Sequence, residues 1–162
     1  MIMLTRSITA LYIDDTSVRI LVSSRKQVSK CIYLELEPGL VRGSVVIREQ
    51  EVADKIKQLL KMENVKPGKV VLGLSGLHCL TRPILFPQLP KAMIAEAVMR
   101  EAKRVLPVPL EQLYLSWQVV PAPRGKTQVF VVGVPCRTLD SLMRTVRLAG
   151  LKPAAMGLKP LV

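Results

Sequence analysis

Proline and glycine pairs divide this chain into short apolar segments. Pro38-Gly39 and Pro67-Gly68 each separate two apolar runs, and Pro107-Val108-Pro109 interrupts a third. Helices and strands end at such sites because proline lacks a backbone donor and glycine adopts turn conformations. The longest uncharged apolar run, Val70 to Leu80, is shorter than the roughly 20 residues that a membrane-spanning helix needs. The chain must therefore fold from short elements, and we expect a cytoplasmic protein.

Alternating apolar and polar residues predict a strand meander near the start of the chain. Residues 8–13, 18–22 and 27–36 are rich in β-branched side chains and are separated by short polar turns. Apolar residues at helical spacing then predict a helix from about Gln50. The run Lys69 to Leu74 predicts a buried strand after it.

The second half of the chain alternates strands and helices again. Pro83 and Pro87 predict an edge strand at 82–87, since proline cannot donate to a strand ladder. The other predicted elements are a helix at 90–105, strands at 113–120 and 127–134, a helix from its N-cap Thr138 to Gly150, and a strand at 152–158. We therefore predict an α+β protein of two subdomains, residues 1–79 and 80–162.

The chain is strongly basic, with 24 Lys and Arg against 12 Asp and Glu and a net charge of +12. Such an excess favours acidic partners, either an anionic membrane surface or an acidic protein. The basic residues are dispersed rather than clustered, and one Trp, three Tyr and two Phe offer bases little to stack on. These features argue against nucleic acid as the partner.

Cysteine spacing predicts no metal site. Cys31, Cys79 and Cys136 are far apart, and no two cysteines have the spacing of a zinc ligand pair. We expect reduced thiols, as in a reducing compartment.

The first predicted turn, Ile13-Asp14-Asp15-Thr16-Ser17-Val18-Arg19, resembles the first phosphate-binding hairpin of actin-like ATPases. In that family an Asp begins the turn, a Gly follows, and small hydroxyl residues precede the next strand. Here the Gly is missing and the segment is about one residue short, and only Gly lets a backbone approach a phosphate closely at little steric cost. Asp14, Asp15, Thr16 and Ser17 are therefore the candidates of a degraded nucleotide site. Asp14 and Asp15 would then serve as turn residues that accept backbone hydrogen bonds.

Further segments extend this resemblance along residues 8–162. They are Pro38-Gly39-Leu40-Val41-Arg42-Gly43, Val70 to Gly76 followed by Thr81-Arg82 and Phe86-Pro87, Glu101 to Leu110, and Ala149-Gly150-Leu151-Lys152-Pro153. In this order and spacing they resemble the N-terminal half of PilM-like type IV pilus assembly proteins, and more distantly FtsA and the type II secretion L proteins. The resemblance implies an actin-like (ribonuclease H-like) subdomain 1A with an inserted subdomain 1C of SHS2 type.

The departures from this family indicate a non-enzymatic role. Family members continue through a second large domain that supplies further nucleotide contacts, whereas this sequence ends at Val162. It is either part of a longer chain or a naturally reduced relative, and half of the nucleotide cleft is absent. We expect no bound cofactor, and ATP with magnesium only if the full-length family site were retained.

By resemblance, the chain is a scaffold of type IV pilus assembly at the inner face of the bacterial cytoplasmic membrane. Such a scaffold receives the short cytoplasmic segment of a bitopic inner-membrane protein. The candidate peptide-binding residues are Arg82, Leu85, Phe86 and Arg104, because the proline-flanked strand suits a groove wall and the arginines could fix polar groups.

Two alternatives stay open at this point. One is a nucleotide-binding actin-like ATPase of cell division or type II secretion, and the other is a basic module that binds anionic lipid or nucleic acid. If the absent half leaves a strand edge or apolar surface exposed, we also expect self-association into a homodimer.

Overall fold

The computed structural model describes residues 7–24, 27–74 and 79–158. Of these, residues 7–74 and 138–158 form one compact unit and residues 79–137 form a second. The predicted α+β class is confirmed. The end of the 70–76 motif, Ser75-Gly76, lies outside the described residues.

The first unit contains a five-stranded sheet and a small hairpin. Its elements are β1 (Ile8–Ile13), β2 (Ser17–Ser24), β3 (Gln27–Glu35), the hairpin strands β4 (Val41–Arg42) and β5 (Val45–Val46), α1 (Glu49–Met62), β6 (Lys69–Leu74), α3 (Cys136–Leu148) and β10 (Pro153–Leu158). The strands of the large sheet lie in the order β10-β6-β1-β2-β3. The predicted meander is present, since β1, β2 and β3 are antiparallel neighbours, and β6 runs parallel to both β1 and β10.

One face of this sheet is buried. Alternate residues of the strands are inaccessible, among them Leu11, Ile20 and Leu72, while α1 and α3 bury Ile56 and Val146. Removing these side chains from water supplies the main driving force for the unit, at about 1.5–3 kcal/mol for each fully buried aliphatic residue.

The predicted domain boundary was wrong for α3 and β10, which belong to the first unit and not to the second. The reason is pairing with residues far away in sequence. β10 pairs with β6 from Pro153↔Val70 to Leu158↔Leu74, and the buried Ser141 hydroxyl of α3 accepts a 3.1 Å hydrogen bond from the Val46 amide. The helix also begins earlier than predicted, at Cys136, so Thr138 lies within it and is not its N-cap.

The second unit is a three-stranded antiparallel sheet packed on one helix. Its elements are β7 (Leu80–Pro87), α2 (Lys91–Val105), a short 3-10 turn (Leu110–Gln112), β8 (Leu113–Val120) and β9 (Lys126–Pro135). The strand order is β7-β9-β8, so β7 is an edge strand, as its prolines predicted. The core between sheet and helix consists of Ile84, Ile94, Val98, Val129 and Val131.

Candidate functional site

The β1–β2 turn brings all four nucleotide-site candidates together around the Asp14 carboxylate. Asp14 Oδ1 accepts hydrogen bonds from the backbone N–H groups of Thr16 (3.0 Å) and Ser17 (2.8 Å). It also accepts from the hydroxyls of the same two residues, at 2.9 and 3.0 Å. The Asp14 amide in turn donates to the Ser17 carbonyl at 3.0 Å, which closes the turn.

These bonds stabilise the ionised carboxyl of Asp14. Partial burial would raise its pKa, but the hydrogen bonds from Thr16 and Ser17 outweigh burial and hold the pKa below its usual value. Arg19 adds a cation, with Nη2 3.6 Å from Asp14 Oδ2 and Nε donating to Ser17 Oγ at 3.2 Å.

Asp15 stabilises a second turn in the same unit by accepting hydrogen bonds from it. Its carboxylate accepts the backbone N–H groups of Gly43 (2.7 Å) and Ser44 (2.8 Å), which connect β4 and β5. Both residues have positive φ, 57° and 63°, as the tight turns of two-stranded hairpins require. Gly43 adopts this conformation without strain, whereas Ser44 needs support such as the bond to Asp15.

The donor groups of the turn that could bind an anion are therefore already hydrogen-bonded to the Asp14 carboxylate. Phosphate sites in loops are built from backbone N–H groups that point outward at the ligand. Here the amides of Thr16 and Ser17 point at a carboxylate of the same turn, and the Ser17 side chain is fully buried. This geometry suits a structural turn, and absence of nucleotide binding stays a prediction.

Metal and thiol chemistry finds no support in the described parts of the chain. No group of three His, Cys, Asp or Glu side chains within them could hold a metal ion. Burial raises the pKa of the Cys79 thiol, which disfavours a reactive thiolate there. Likewise, no helix of the described ranges is long and apolar enough to cross a membrane.

The four peptide-site candidates are divided between different surfaces. On β7, Arg82 and Phe86 pair with Val131 and Thr127 and so lie on the sheet face that packs against α2. Phe86 is half-buried against that core, whereas Leu85 lies on the opposite face and is 55% exposed. Arg104 lies in the last turn of α2, where it forms an ion pair with Glu101.

The helix-free face of the three-stranded sheet carries an apolar surface around Leu85. Pro83 pairs directly with Phe130, and Thr81 with Val132, so that these side chains share the face with Leu85. Phe130 is 37% exposed. We name the surface of Pro83, Leu85, Phe130 and Val132 the β7–β9 apolar face. Phe130 was not among the candidates predicted from the sequence, although the alternation along 127–134 places it on the opposite face of the strand from the buried Val129 and Val131.

The opposite face of the five-stranded sheet carries exposed side chains among the described residues. The Arg19 guanidinium lies 5.8 Å from the ring centre of Tyr12 and 5.9 Å from that of Tyr33, within cation–π range. Beside Arg19 is a shallow hollow of about 350 Å³ that Ala10 and Gly73 help to line. Exposed apolar side chains on the same face are Ile8, Leu21, Val28 and Tyr33.

Comparison with solved structures confirms the resemblance predicted from the sequence. The chain is similar to a chain of the PilM-PilN type IV pilus biogenesis complex, with 28% identity, a TM-score of 0.82 and 94% of the present chain covered. It is also similar to the cytoplasmic domain of EpsL, an inner-membrane component of the type II secretion system of Vibrio cholerae (13% identity, TM-score 0.59, 93% of this chain and 56% of that chain). The chain spans about half of the PilM-PilN relative, 47% of its length. No protein-family model and no curated protein sequence matches it significantly.

Proposed function

We propose that the chain acts as a scaffold of type IV pilus assembly, or of a closely related secretion machine, at the inner face of the cytoplasmic membrane. In this role it binds a short cytoplasmic segment of an inner-membrane protein. The observation that carries the proposal is the 28% identity to a chain of the PilM-PilN complex over 94% of the present chain.

The geometry of the first turn supports binding rather than catalysis. An actin-like ATPase needs backbone amides free for phosphate and groups that hold magnesium and orient water. In this turn Asp14 engages both amides and both hydroxyls of Thr16 and Ser17, and Asp15 is engaged by the β4–β5 turn.

We place the peptide on the β7–β9 apolar face. Leu85 and Phe130 offer exposed apolar surface there, and Pro83 contributes a rigid flank. Because Pro83 and Pro87 cannot donate backbone hydrogen bonds, recognition along β7 rests on side-chain contacts more than on strand addition. Arg82 lies on the opposite face of β7 but is exposed, so its long side chain is available at the strand edge to a polar group of the peptide.

The remaining two candidates take other roles. Phe86 serves mainly the core with Ile84, and Arg104 is held by Glu101. The net charge of +12 would in addition favour residence near an anionic leaflet.

Titration of a labelled peptide tests the proposal. The peptide corresponds to the short cytoplasmic segment of a candidate single-span inner-membrane protein. Leu85→Ala should weaken binding about tenfold, because an anchor side chain buried at an interface often contributes 1 kcal/mol or more. Met93→Ala is the matched control, since Met93 on α2 is similarly exposed at 53% but lies away from this face.

Unchanged affinity in Leu85→Ala, Phe130→Ala and Arg82→Ala would refute this site. Binding that weakens steeply as the salt concentration rises, and that weakens equally when any surface Lys or Arg is replaced, would instead favour the basic lipid- or nucleic-acid-binding module.

A further inference from the structure

Two arginines near the end of α3 differ in what they contact. Arg144 is held by Glu49 at the start of α1, because its Nε donates to both carboxylate oxygens at 3.1 and 3.0 Å and its Nη2 donates to one at 2.7 Å. Arg147 lies one turn later and is exposed, and it forms no ion pair with any residue that the structure describes. The exposed side of α3 therefore presents one paired guanidinium and, within the described part of the chain, one unpaired guanidinium.

Both arginines line the same surface hollow. It has a volume of about 320 Å³, and Glu49 and Leu148 complete its lining. Leu148 is 40% exposed although its side chain is aliphatic. All four residues belong to the first unit. The hollow thus places a cation without a described counter-charge next to apolar surface that is open to a partner.

Arg144 keeps donors for a partner in spite of its ion pair. A guanidinium carries five N–H donors in a planar fork, and Glu49 engages only the edge formed by Nε and Nη2. The Nη1 group donates no hydrogen bond to a described residue. A two-pronged contact also fixes the plane of the guanidinium. Glu49 is therefore a positioning residue that holds Arg144 in a defined orientation at the hollow.

We propose that this hollow binds an acidic segment of a protein partner. Arg147 and the open edge of Arg144 would hold a Glu or Asp carboxylate, and Leu148 would contact a neighbouring aliphatic side chain of the segment. Guanidinium groups match carboxylates in planar, two-pronged contacts, and the net charge of +12 attracts acidic partners. This site lies in the first unit and is independent of the β7–β9 apolar face.

The local charges favour a protein segment over a membrane or a nucleic acid. Besides Glu49, Asp140 lies one turn before Arg144, and the hydrogen bonds to Glu49 and, more weakly, the charge of Asp140 hold the pKa of Arg144 above its usual value. A bilayer or a phosphate backbone presents many negative charges at once and would also meet these two carboxylates. A single carboxylate side chain can contact the arginines alone. An open hollow encloses little of a small molecule, so the occupant should continue beyond it.

Fluorescence anisotropy with a labelled Leu-Glu-Glu-Leu peptide flanked by glycines tests the proposal, at about 150 mM salt. Arg147→Gln should weaken binding about tenfold, because a hydrogen bond between two charged groups is lost. Arg124→Gln is the matched control. Arg124 lies in the second unit, is also exposed and removes the same charge, and the variant should weaken binding by less than about twofold.

Two further measurements separate the site from general attraction by net charge. The same peptide with Gln in place of Glu should not bind, and Leu148→Ser should weaken binding of the acidic peptide about threefold. In ¹⁵N spectra the acidic peptide should shift the amide signals of residues 144–148. Leu85→Ala should leave this binding unchanged, so that failure of this inference and failure of the proposed function are distinguishable.

Three results would overturn the inference. One is equal weakening in Arg147→Gln and Arg124→Gln, because net charge alone would then explain binding. Another is the absence of binding by the acidic peptide. The third is binding to phosphatidylglycerol vesicles or to single-stranded DNA that depends more strongly on Arg147 than peptide binding does, since the hollow would then recognise phosphate.

Discussion

The β1–β2 turn of the first unit and the strand β8 of the second treat their hydrogen-bonding groups in opposite ways. In the turn, Asp14 accepts four bonds and Asp15 two, all from groups of the same unit. In β8 one row of backbone groups faces away from β9, next to exposed apolar side chains. A region that satisfies its polar groups internally adds stability, whereas one that leaves them open is available to partners. We therefore expect the hydrogen bonds of the turn to matter for stability and the exposed surfaces of the second unit to matter for binding.

Loss of packing in the second unit is expected to have the largest effect on stability. Phe86→Ala should lower the free energy of unfolding of that unit by about 2–3 kcal/mol, because Phe86 packs on the core of Ile84 and Val98. Thermal unfolding followed by Trp117 fluorescence reports this unit, since Trp117 lies on β8. Leu85→Ala is the control and should change stability by less than about 0.5 kcal/mol. Equal losses in both variants would contradict the assignment of the two side chains to opposite faces.

Removing the carboxylate of the first turn should have the next largest effect. Asp14→Ala should destabilise the first unit by about 1.5 kcal/mol, since it strips a buried Ser17 hydroxyl and two amides of their acceptor. Urea unfolding followed by far-UV circular dichroism measures the loss, while the Trp117 transition should not move. Asp14→Asn, which retains one acceptor oxygen, should lose less. Micromolar binding of a fluorescent ATP analogue that disappears in Asp14→Ala would instead make the turn a ligand site.

A smaller loss is expected at the second carboxylate. Asp15→Ala should cost about 1 kcal/mol, because the amides of Gly43 and Ser44 would exchange a charged acceptor for water. The same urea titration measures it. If Asp15→Ala proved more destabilising than Asp14→Ala, the β4–β5 turn and not the β1–β2 turn would be the critical polar contact.

The smallest expected effect is a change of stability with pH. The pKa of Asp14 is lower in the folded protein than its usual value, so its contribution is complete above about pH 4 and is lost as pH falls through the folded pKa. The stability difference between the wild type and Asp14→Asn should therefore shrink below about pH 4. A difference that stays constant down to pH 2 would mean that the charge of Asp14 contributes nothing.

Local patterns were sufficient for most elements and insufficient for distant contacts. β6 matches its predicted range, and the prolines of β7 correctly placed it at an edge. The bulge that pairs Ser23 with Val28 was not predictable from alternation, and it moves Val28 away from the face of Ile32. The link between Asp15 and the turn at Gly43 spans 28 residues, and that between Ser141 and Val46 spans 95, so no local signal reveals them. For the proposed peptide site, the sequence supplied Leu85 but not its neighbour Phe130 on β9, which only strand pairing identifies.

The insertion of the second unit between β6 and α3 affects how the chain folds. Completing the five-stranded sheet requires β10 to reach β6 across an intervening segment, of which about 60 residues form the inserted unit. If that unit folds first, the pairing of Leu80 with Gly133 brings its two ends together and shortens the effective loop about threefold. A threefold shorter loop lowers the entropic cost of closure by about 1 kcal/mol. Folding of the insert thus speeds completion of the surrounding sheet, and a variant that unfolds the insert should also slow the refolding of the first unit.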